Sequence, residues 1–206
     1  MSTILYLVRH GETPWNKLFR FQGRTDIELS KEGIWQAERL QKRFNKEFDV
    51  IYTSPLSRAI QTANIISQGM DIEPNVYRDL IEIDFGKWEG QSFTDIRNNF
   101  PKEHHLWLTD EDTGPLMGGE LNMKAATIRG KNAILDIAKE NSGKRTLVVA
   151  HGGIIKAALL GIFNLRMNMY HSLFLDNTSV TTLKFREGQA PVILGLNDTS
   201  HLKEGY

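Results

Sequence analysis

Two histidine motifs, each directly behind a short apolar run, are the most informative feature of this sequence. Arg9-His10-Gly11 follows residues 4–8, and His151-Gly152 follows residues 146–150. Short runs of β-branched and other apolar residues predict buried strands. Parallel strands in open α/β sheets collect their ligands at their carboxyl ends. Two imidazoles and a guanidinium at one sheet edge suit chemistry on an anion, and phosphate is the leading candidate.

Further polar residues at strand ends add the other groups that phosphoryl transfer requires. Arg58 falls in the first turn of the helix behind Ser54-Pro55, and Glu82 follows the third predicted strand. Arginine holds phosphoryl oxygens through a bidentate fork. We also expect the helix N-termini behind Pro55 and Gly152 to supply aligned backbone N–H donors. A nucleophile, a cationic clamp and a proton donor are therefore all available.

The elements that must position these groups alternate between strands and helices. Ser30 is the expected N-cap of a helix whose buried face comprises Ile34, Ala37, Leu40 and Phe44. The remaining expected helices span about 56–67, 93–99, 120–140 and 154–162. Further strands are expected near 49–52, 76–77, 173–175, 178–185 and 190–196. This alternation predicts an α/β fold with a mostly parallel central sheet, an antiparallel edge and helices on both faces.

The segment 84–119 loosens this pattern and is expected to be a cap-like insertion in a single domain spanning 1–206. Lysine and arginine total 25, as do aspartate and glutamate, which argues against nucleic-acid or anionic membrane partners. The absence of cysteine excludes a thiolate nucleophile and a zinc-thiolate site. No apolar window reaches the roughly 20 residues of a membrane helix, so we expect a cytoplasmic protein.

Four ordered blocks of sequence carry a resemblance to a known family. They are Arg9-His10-Gly11-Glu12-Thr13-Pro14-Trp15-Asn16, Gln22-Gly23-Arg24-Thr25-Asp26, Thr53-Ser54-Pro55-Leu56-Ser57-Arg58-Ala59 and Glu82-Ile83-Asp84-Phe85-Gly86-Lys87-Trp88-Glu89-Gly90. Together with His151-Gly152 they resemble the histidine phosphatase superfamily, which includes the cofactor-dependent phosphoglycerate mutases. The resemblance covers nearly the whole chain and implies a three-layer phosphoglycerate mutase-like fold.

The resemblance also implies a role for each residue of the site. His10 is the implied nucleophile, which forms a transient phosphohistidine, and Glu82 is the implied general acid that protonates the leaving oxygen. The residues that surround the phosphoryl group are then Arg9, Arg58 and His151, with further donors from Asn16, Gln22, Gly23 and Gly152. A metal-independent phosphatase that needs no cofactor, acts on small phosphorylated substrates and can form a homodimer is the expectation.

Two alternatives remain open at this point. The mutases of the family carry a longer insertion with a basic cluster, whereas 84–119 offers only Lys87, Arg97 and Lys102, which favours a phosphomonoesterase. Gly118-Gly119-Glu120 is similar to a signature of the phosphatase branch, although Leu121 replaces its serine and leaves an N-cap or site hydroxyl in question. The less favoured alternative is a catalytically silent phosphate-binding regulator. Residues 196–202 look like the ending of α-ribazole phosphatases, so the substrate stays open.

Several other residues could be given a role on their type alone. Glu12 and Asp84 could ligate a metal beside His10, but we interpret them as supporting or solvated groups, because no histidine spacing forms a metal set. His104 and His105 are adjacent and should diverge. The aromatic and apolar residues of the insertion could form either a lid or its own core: Trp88, Phe93, Trp107 and Leu108. His171 and His201 carry no motif and are assigned no role.

Overall fold

A six-stranded sheet forms the centre of the computed structural model, which describes residues 2–44 and 47–203. The strands are β1 (Ser2–Arg9), β2 (Val50–Thr53), β3 (Asn75–Val76), β4 (Arg145–Ala150), β5 (Val180–Arg186) and β6 (Val192–Asp198). The α-helices are α1 (Pro14–Lys17), α2 (Lys31–Phe44), α3 (Ser57–Ser67), α4 (Phe93–Asn99), α5 (Pro101–Thr109), α6 (Met123–Glu140) and α7 (Gly152–Ile162). None of the helices in the described ranges combines the length and hydropathy that crossing a bilayer requires.

The order of the strands brings the two histidine motifs to one edge of the sheet. The order is β3-β2-β4-β1-β5-β6, with β1 to β4 parallel and β5 and β6 antiparallel at one side. In the parallel register of β1 and β4, Arg9 lies opposite Ala150. His10 and His151, each the next residue of its strand, therefore leave the sheet side by side. The predicted α/β class with a mostly parallel sheet and an antiparallel edge is confirmed.

Helices cover both faces of the two central strands. Successive side chains of a strand point to opposite faces, so β1 places Leu5 and Leu7 against α6 and α7, and Val8 in the core with α2 and α3. In β4, Val148 faces the first layer, while Leu147 and Val149 face the second. Burial on both faces explains why these strands read as continuous apolar runs rather than alternating ones.

The insertion forms a separate hydrophobic core beside the site. Trp88 and Trp107 are buried in this core, which Phe21 and Ile96 complete. Phe93 and Leu108 are 53% and 37% exposed, so they are outside it. The aromatic residues of the insertion therefore do not share one role. Both tryptophans belong to the core, whereas Phe93 lies on the wall of the adjacent cavity.

Four local expectations are wrong, each for a physical reason. Residues 173–175 form a loop instead of a strand, and the carbonyl of Leu175 accepts a hydrogen bond from Arg9 Nη1 at 2.6 Å. Ile34 is 42% exposed, because Gly33 takes the buried position, where a Cβ would lie 2.1 Å from Glu12 O. Helix α5 was not expected; it begins at Pro101, a residue that suits the first turn.

The fourth concerns the start of α6 and settles the question about residue 121. The helix begins at Met123 instead of 120, and Asn122 is its N-cap, with Oδ1 accepting the Ala125 N–H at 2.9 Å. Leu121 is 83% exposed and takes no part in the cap. The missing serine hydroxyl therefore costs the helix nothing, since asparagine is as good an N-cap as serine.

Candidate active site

A cavity of about 710 Å³ lies at the carboxyl ends of β1 and β4. The expected site residues in its wall are Arg9, His10, Asn16, Gln22, Gly23, Arg58, Glu82 and Gly152. His151 is fully buried beside His10, and their ring centroids are 5.1 Å apart. The structure thus brings every residue of the expected site to one place.

His10 is arranged as a neutral imidazole with one free ring nitrogen. Its Nδ1 lies 2.7 Å from the carbonyl oxygen of Gly11, which only accepts, so Nδ1 carries the proton. Nε2 then keeps its lone pair. Burial, assisted by the charges of Arg58 and Arg9, holds the pKa of His10 well below its usual range. The imidazole is therefore neutral at neutral pH and chemically capable of nucleophilic attack through Nε2.

His151 has the opposite tautomer. Arg58 Nε donates to His151 Nδ1 at 3.1 Å, and because arginine has no acceptor, this nitrogen carries no proton. Burial, followed by the charge of Arg58, lowers the pKa of His151 well below its usual range. The neutral ring therefore has its N–H at Nε2, which donates to Ser54 Oγ at 2.6 Å. In the structure this N–H is used by Ser54, so it can reach a phosphoryl oxygen only by exchanging that partner.

The two arginines differ in how fully their donors are used. Arg58 donates through Nη1 to Thr25 O at 2.9 Å and through Nη2 to Gly23 O at 2.7 Å, in addition to its bond with His151. Three of its five N–H groups are thus fixed by the protein. Arg9 Nε is buried and has no partner within the described part of the chain. Buried donors are almost always paired, so this N–H is unusual, but the atom is not accessible from the cavity.

The two amides of the site are oriented by a single threonine. Asn16 Oδ1 accepts the backbone N–H of Thr13 at 3.0 Å, and Gln22 Oε1 accepts the Thr13 hydroxyl at 3.0 Å. The backbone N–H of Thr13 assigns the oxygen of Asn16, so the NH₂ group of Asn16 remains to donate. Asn177, which the sequence did not single out, donates to both His10 O and Asn16 Oδ1.

Glu82 is held at the N-terminus of α7 by main-chain donors. Its Oε1 accepts from Ile154 N at 2.8 Å and Ile83 N at 2.9 Å, and its Oε2 accepts from Gly153 N at 2.9 Å. A Cβ on residue 153 would lie 2.5 Å from Glu82 Oε1, so only glycine allows this approach. The carboxyl group consequently has one fixed position beside the cavity.

The two expected helix N-termini differ in what they can offer a phosphate. In α7, Glu82 uses the N–H groups of Gly153 and Ile154 but not that of Gly152, the first residue of the helix, which lines the cavity. In the other helix, Leu56 is the N-cap, so Pro55 precedes the helix, and the Ser57 N–H donates to Asp26 Oδ1 at 2.9 Å. The expected backbone donor at Gly152 therefore stays a prediction.

Glu89 is a positioning residue that sequence reasoning missed. Its Oε1 accepts from Arg24 N at 2.9 Å, and its Oε2 accepts from the backbone N–H and the hydroxyl of Thr25 at 3.0 and 2.6 Å. Gly23 has a φ of +53° and would place a Cβ 1.9 Å from Glu89 Oε1. Glu89 thereby fixes the loop whose carbonyls of Gly23 and Thr25 hold Arg58. Because Glu89 and Arg24 are 65 residues apart in the sequence, no local pattern indicates that they are in contact.

Replacing Glu89 with glutamine is expected to reduce kcat/KM for a phosphate monoester by about 10- to 100-fold. The amide has only one acceptor atom, so one bond to the loop is lost, and a hydrogen bond to a charged group is worth about 1.5–3 kcal/mol. Steady-state kinetics with inorganic phosphate as competitive inhibitor measure the effect, and the inhibition constant should rise with it. Glu111→Gln, which affects only exposed contacts with Arg166 and Asn168, is the control. An unchanged inhibition constant in Glu89→Gln contradicts the assignment.

The remaining carboxylates and histidines are used in other ways. Glu12 Oε1 accepts from the Ser30 hydroxyl at 2.9 Å, and Asp84 Oδ1 accepts the Gly86 N–H at 3.0 Å. Across the described residues, no group of three or more histidine, aspartate or glutamate side chains could hold a metal ion.

The histidines outside the motifs have separate environments. His104 and His105 belong to α5, where His104 is partly buried and His105 is exposed. His171 lies on the cavity wall, with its Nε2 2.9 Å from Trp107 O. His201 is buried, with its Nε2 3.0 Å from Thr178 Oγ1. Of these four, only His171 contributes to the site.

A neutral histidine with a free Nε2, beside two buried arginines at the edge of an α/β sheet, defines a class of enzymes that act on phosphate esters. The chain belongs to the histidine phosphatase superfamily (branch 1), whose family model matches residues 5–199. The predicted membership is therefore confirmed.

Relatives of known activity point to the same reaction. Phosphoserine phosphatase 1 of Hydrogenobacter thermophilus is 32% identical over 203 residues, which cover 98% of this chain and 95% of the relative. A mutant phosphoserine phosphatase from Entamoeba histolytica, solved in complex with phosphoserine, is 38% identical with a TM-score of 0.91, covering 98% of this chain and 100% of the other. The structure of the E. histolytica enzyme in complex with 3-phosphoglyceric acid is 38% identical in sequence, with a TM-score of 0.90 and the same coverage of both chains. The chain is thus a phosphatase of this superfamily.

Proposed function

We propose that this phosphatase hydrolyses O-phosphoserine and closely related small phosphomonoesters through a phosphohistidine on His10. The observation that carries the proposal is the free Nε2 of the neutral His10 beside Arg9 and Arg58 at one cavity wall. The phosphoserine bound to the E. histolytica relative supports the substrate. Cytoplasmic location and a homodimer stay predictions, which fractionation and light scattering measure.

In the first step, His10 Nε2 attacks phosphorus and the bond to the leaving oxygen breaks. Glu82 gives its proton to that oxygen and becomes a carboxylate, so the alcohol leaves neutral. Arg9, Arg58 and His151 donate to the three remaining phosphoryl oxygens while charge develops on them. Each well-placed donor contributes about 3–4 kcal/mol. Several donors are needed, because enzymatic hydrolysis of phosphate monoesters reaches accelerations of up to ~10²¹-fold.

In the second step, water attacks the phosphorus of phosphohistidine. Glu82, now ionised, takes a proton from that water, and the N–P bond breaks to return the electron pair to His10 Nε2. Inorganic phosphate leaves, Glu82 is protonated again and His10 is neutral. The same carboxyl group therefore serves as acid and then as base, which its fixed position at the start of α7 permits.

One observation favours hydrolysis over the mutase reaction. A mutase must hold its phosphorylated intermediate while a substrate carboxylate rebinds, and a basic cluster in the insertion does this in the mutases that this chain resembles. Lys87, Arg97 and Lys102 are all exposed, and none of them lines the cavity. Water then accepts the phosphoryl group in place of a second alcohol.

Phosphate release from O-phosphoserine in excess chelator tests the proposal. The same assay with 3-phosphoglycerate, with and without a bisphosphoglycerate primer, and with α-ribazole phosphate ranks the alternatives. We expect the highest kcat/KM for O-phosphoserine, and no isomerisation of 3-phosphoglycerate to 2-phosphoglycerate. Isomerisation that outpaces phosphate release identifies a mutase, and release that depends on added metal contradicts the histidine mechanism.

A further inference from the structure

An ammonium group without an anionic partner lies in the cavity wall, and the mechanism above does not use it. Lys156 is on α7, four residues after Gly152, and residues at this spacing share one face of a helix. A Cβ on Gly152 would lie 3.3 Å from Arg9 Cδ, so this face begins at the phosphate-binding edge. Lys156 is therefore about one helical turn, ~5.4 Å, farther along the cavity.

The surroundings of Lys156 leave its charge uncompensated. Its Nζ lies 3.8 Å from the ring centroid of Tyr170, which is buried, so the aromatic face is the neighbour that stabilises the cation. Within residues 2–44 and 47–203, no carboxylate oxygen comes within 4.0 Å of Nζ. Burial lowers the pKa of Lys156 to about 8, although the charge of Glu82 opposes this shift. Lys156 is half-buried, and a charge partly removed from water is normally paired, so a bound anion would complete its surroundings.

The phosphoryl group does not need Lys156, since Arg9, Arg58 and His151 already surround it. We propose that Lys156 binds a carboxylate on the leaving group of the substrate and thereby determines specificity. The inference rests on the proposed phosphomonoesterase activity and adds a substrate class, namely phosphate esters whose alcohol carries a carboxylate. Lys17 and Arg20 also line the cavity, but both are exposed. Ion pairs in water contribute little, so the half-buried Lys156 is expected to bind a carboxylate more strongly than Lys17 or Arg20.

The test compares esters that differ only in the carboxylate. O-phosphoserine and O-phosphoethanolamine form one pair, and 3-phosphoglycerate and glycerol 3-phosphate form a second. In Lys156→Met, we expect KM for the carboxylate member of each pair to rise about 10- to 100-fold, the range of one charge-assisted hydrogen bond. The kinetics of the other member and of p-nitrophenyl phosphate should change less than about threefold, because they make no such bond. Lys156→Arg should retain most of the discrimination, since it keeps the charge.

Two controls keep this test separate from that of the proposed function. Lys17→Met removes an exposed cation from the same cavity and should leave the KM ratio of each pair unchanged. Calorimetric binding of O-phosphoserine and O-phosphoethanolamine to His10→Ala, with and without Lys156→Met, needs no turnover. Equal losses for both members of a pair, or an unchanged KM for the carboxylate member, overturn the assignment of Lys156. Inactivity of the wild type towards every ester contradicts the proposed function alone.

Discussion

Replacing His10 with alanine is expected to lower kcat for O-phosphoserine by about 10⁵- to 10⁶-fold, the scale of losing a catalytic nucleophile. The methyl group has no lone pair to attack phosphorus, while the donors from Arg9, Arg58 and His151 remain. Substrate binding should therefore persist, and calorimetry should give a dissociation constant within about tenfold of the wild-type KM. Loss of binding together with turnover contradicts the assignment of His10 as nucleophile.

Chemical trapping checks the same residue independently. Wild-type enzyme quenched during turnover of labelled substrate should carry a phosphoryl group that is stable to base and released by acid, as expected for phosphohistidine. His10→Ala should carry none. His105→Ala, a change of an exposed histidine on α5, is the matched control and should label like the wild type. Label that survives in His10→Ala places the intermediate on another residue.

Glutamine at position 82 is expected to reduce kcat/KM for O-phosphoserine by about 10²- to 10⁴-fold, the usual contribution of a general acid. The alkoxide of serine is a poor leaving group and needs the proton of Glu82. The nitrophenolate of p-nitrophenyl phosphate leaves readily without one, so the first step with this substrate should slow by less than about tenfold. Pre-steady-state release of nitrophenolate measures that step. The difference between substrates is thus the signature of proton donation.

The Glu82→Gln variant needs a control for folding. Circular dichroism provides it, because the amide can keep only part of the bonding with Gly153 and Ile154. Equal losses for the alkyl and aryl esters show that Glu82 acts through structure rather than proton transfer.

The central part of the fold could be predicted because its information is local. Residues 4–8 of β1 and 147–150 of β4 are apolar, and His10 and His151 directly follow these strands, so neighbouring residues predict the sheet edge and its two imidazoles. Helix α6 ends at Glu140 as expected. The predicted start of α6 is three residues too early. The actual N-cap, Asn122, follows Gly118-Gly119, and these two glycines belong to a separate sequence signature.

The rest of the site depends on contacts between distant residues, which a periodicity cannot reveal. Residues 173–175 are apolar and read as a strand, yet Leu175 uses its carbonyl to hold Arg9, 166 residues away. Glu89 and Lys156 are an ordinary carboxylate and an ordinary lysine until the fold places one under a loop and the other in the cavity. The role of such a residue depends on which groups it contacts, or on the lack of a contact, and this is visible only in the three-dimensional structure.

The way in which Glu82 is held has a consequence for mutagenesis. Its three hydrogen-bond donors are all peptide N–H groups, which every residue other than proline retains when its side chain is exchanged. A scan of single substitutions around the site will therefore underestimate how strongly the proton donor is anchored. Replacing the amide of Gly153 or Ile154 with an ester by semisynthesis deletes one donor and leaves every side chain intact. Such backbone substitutions measure directly how much each N–H donor contributes to holding Glu82 in place.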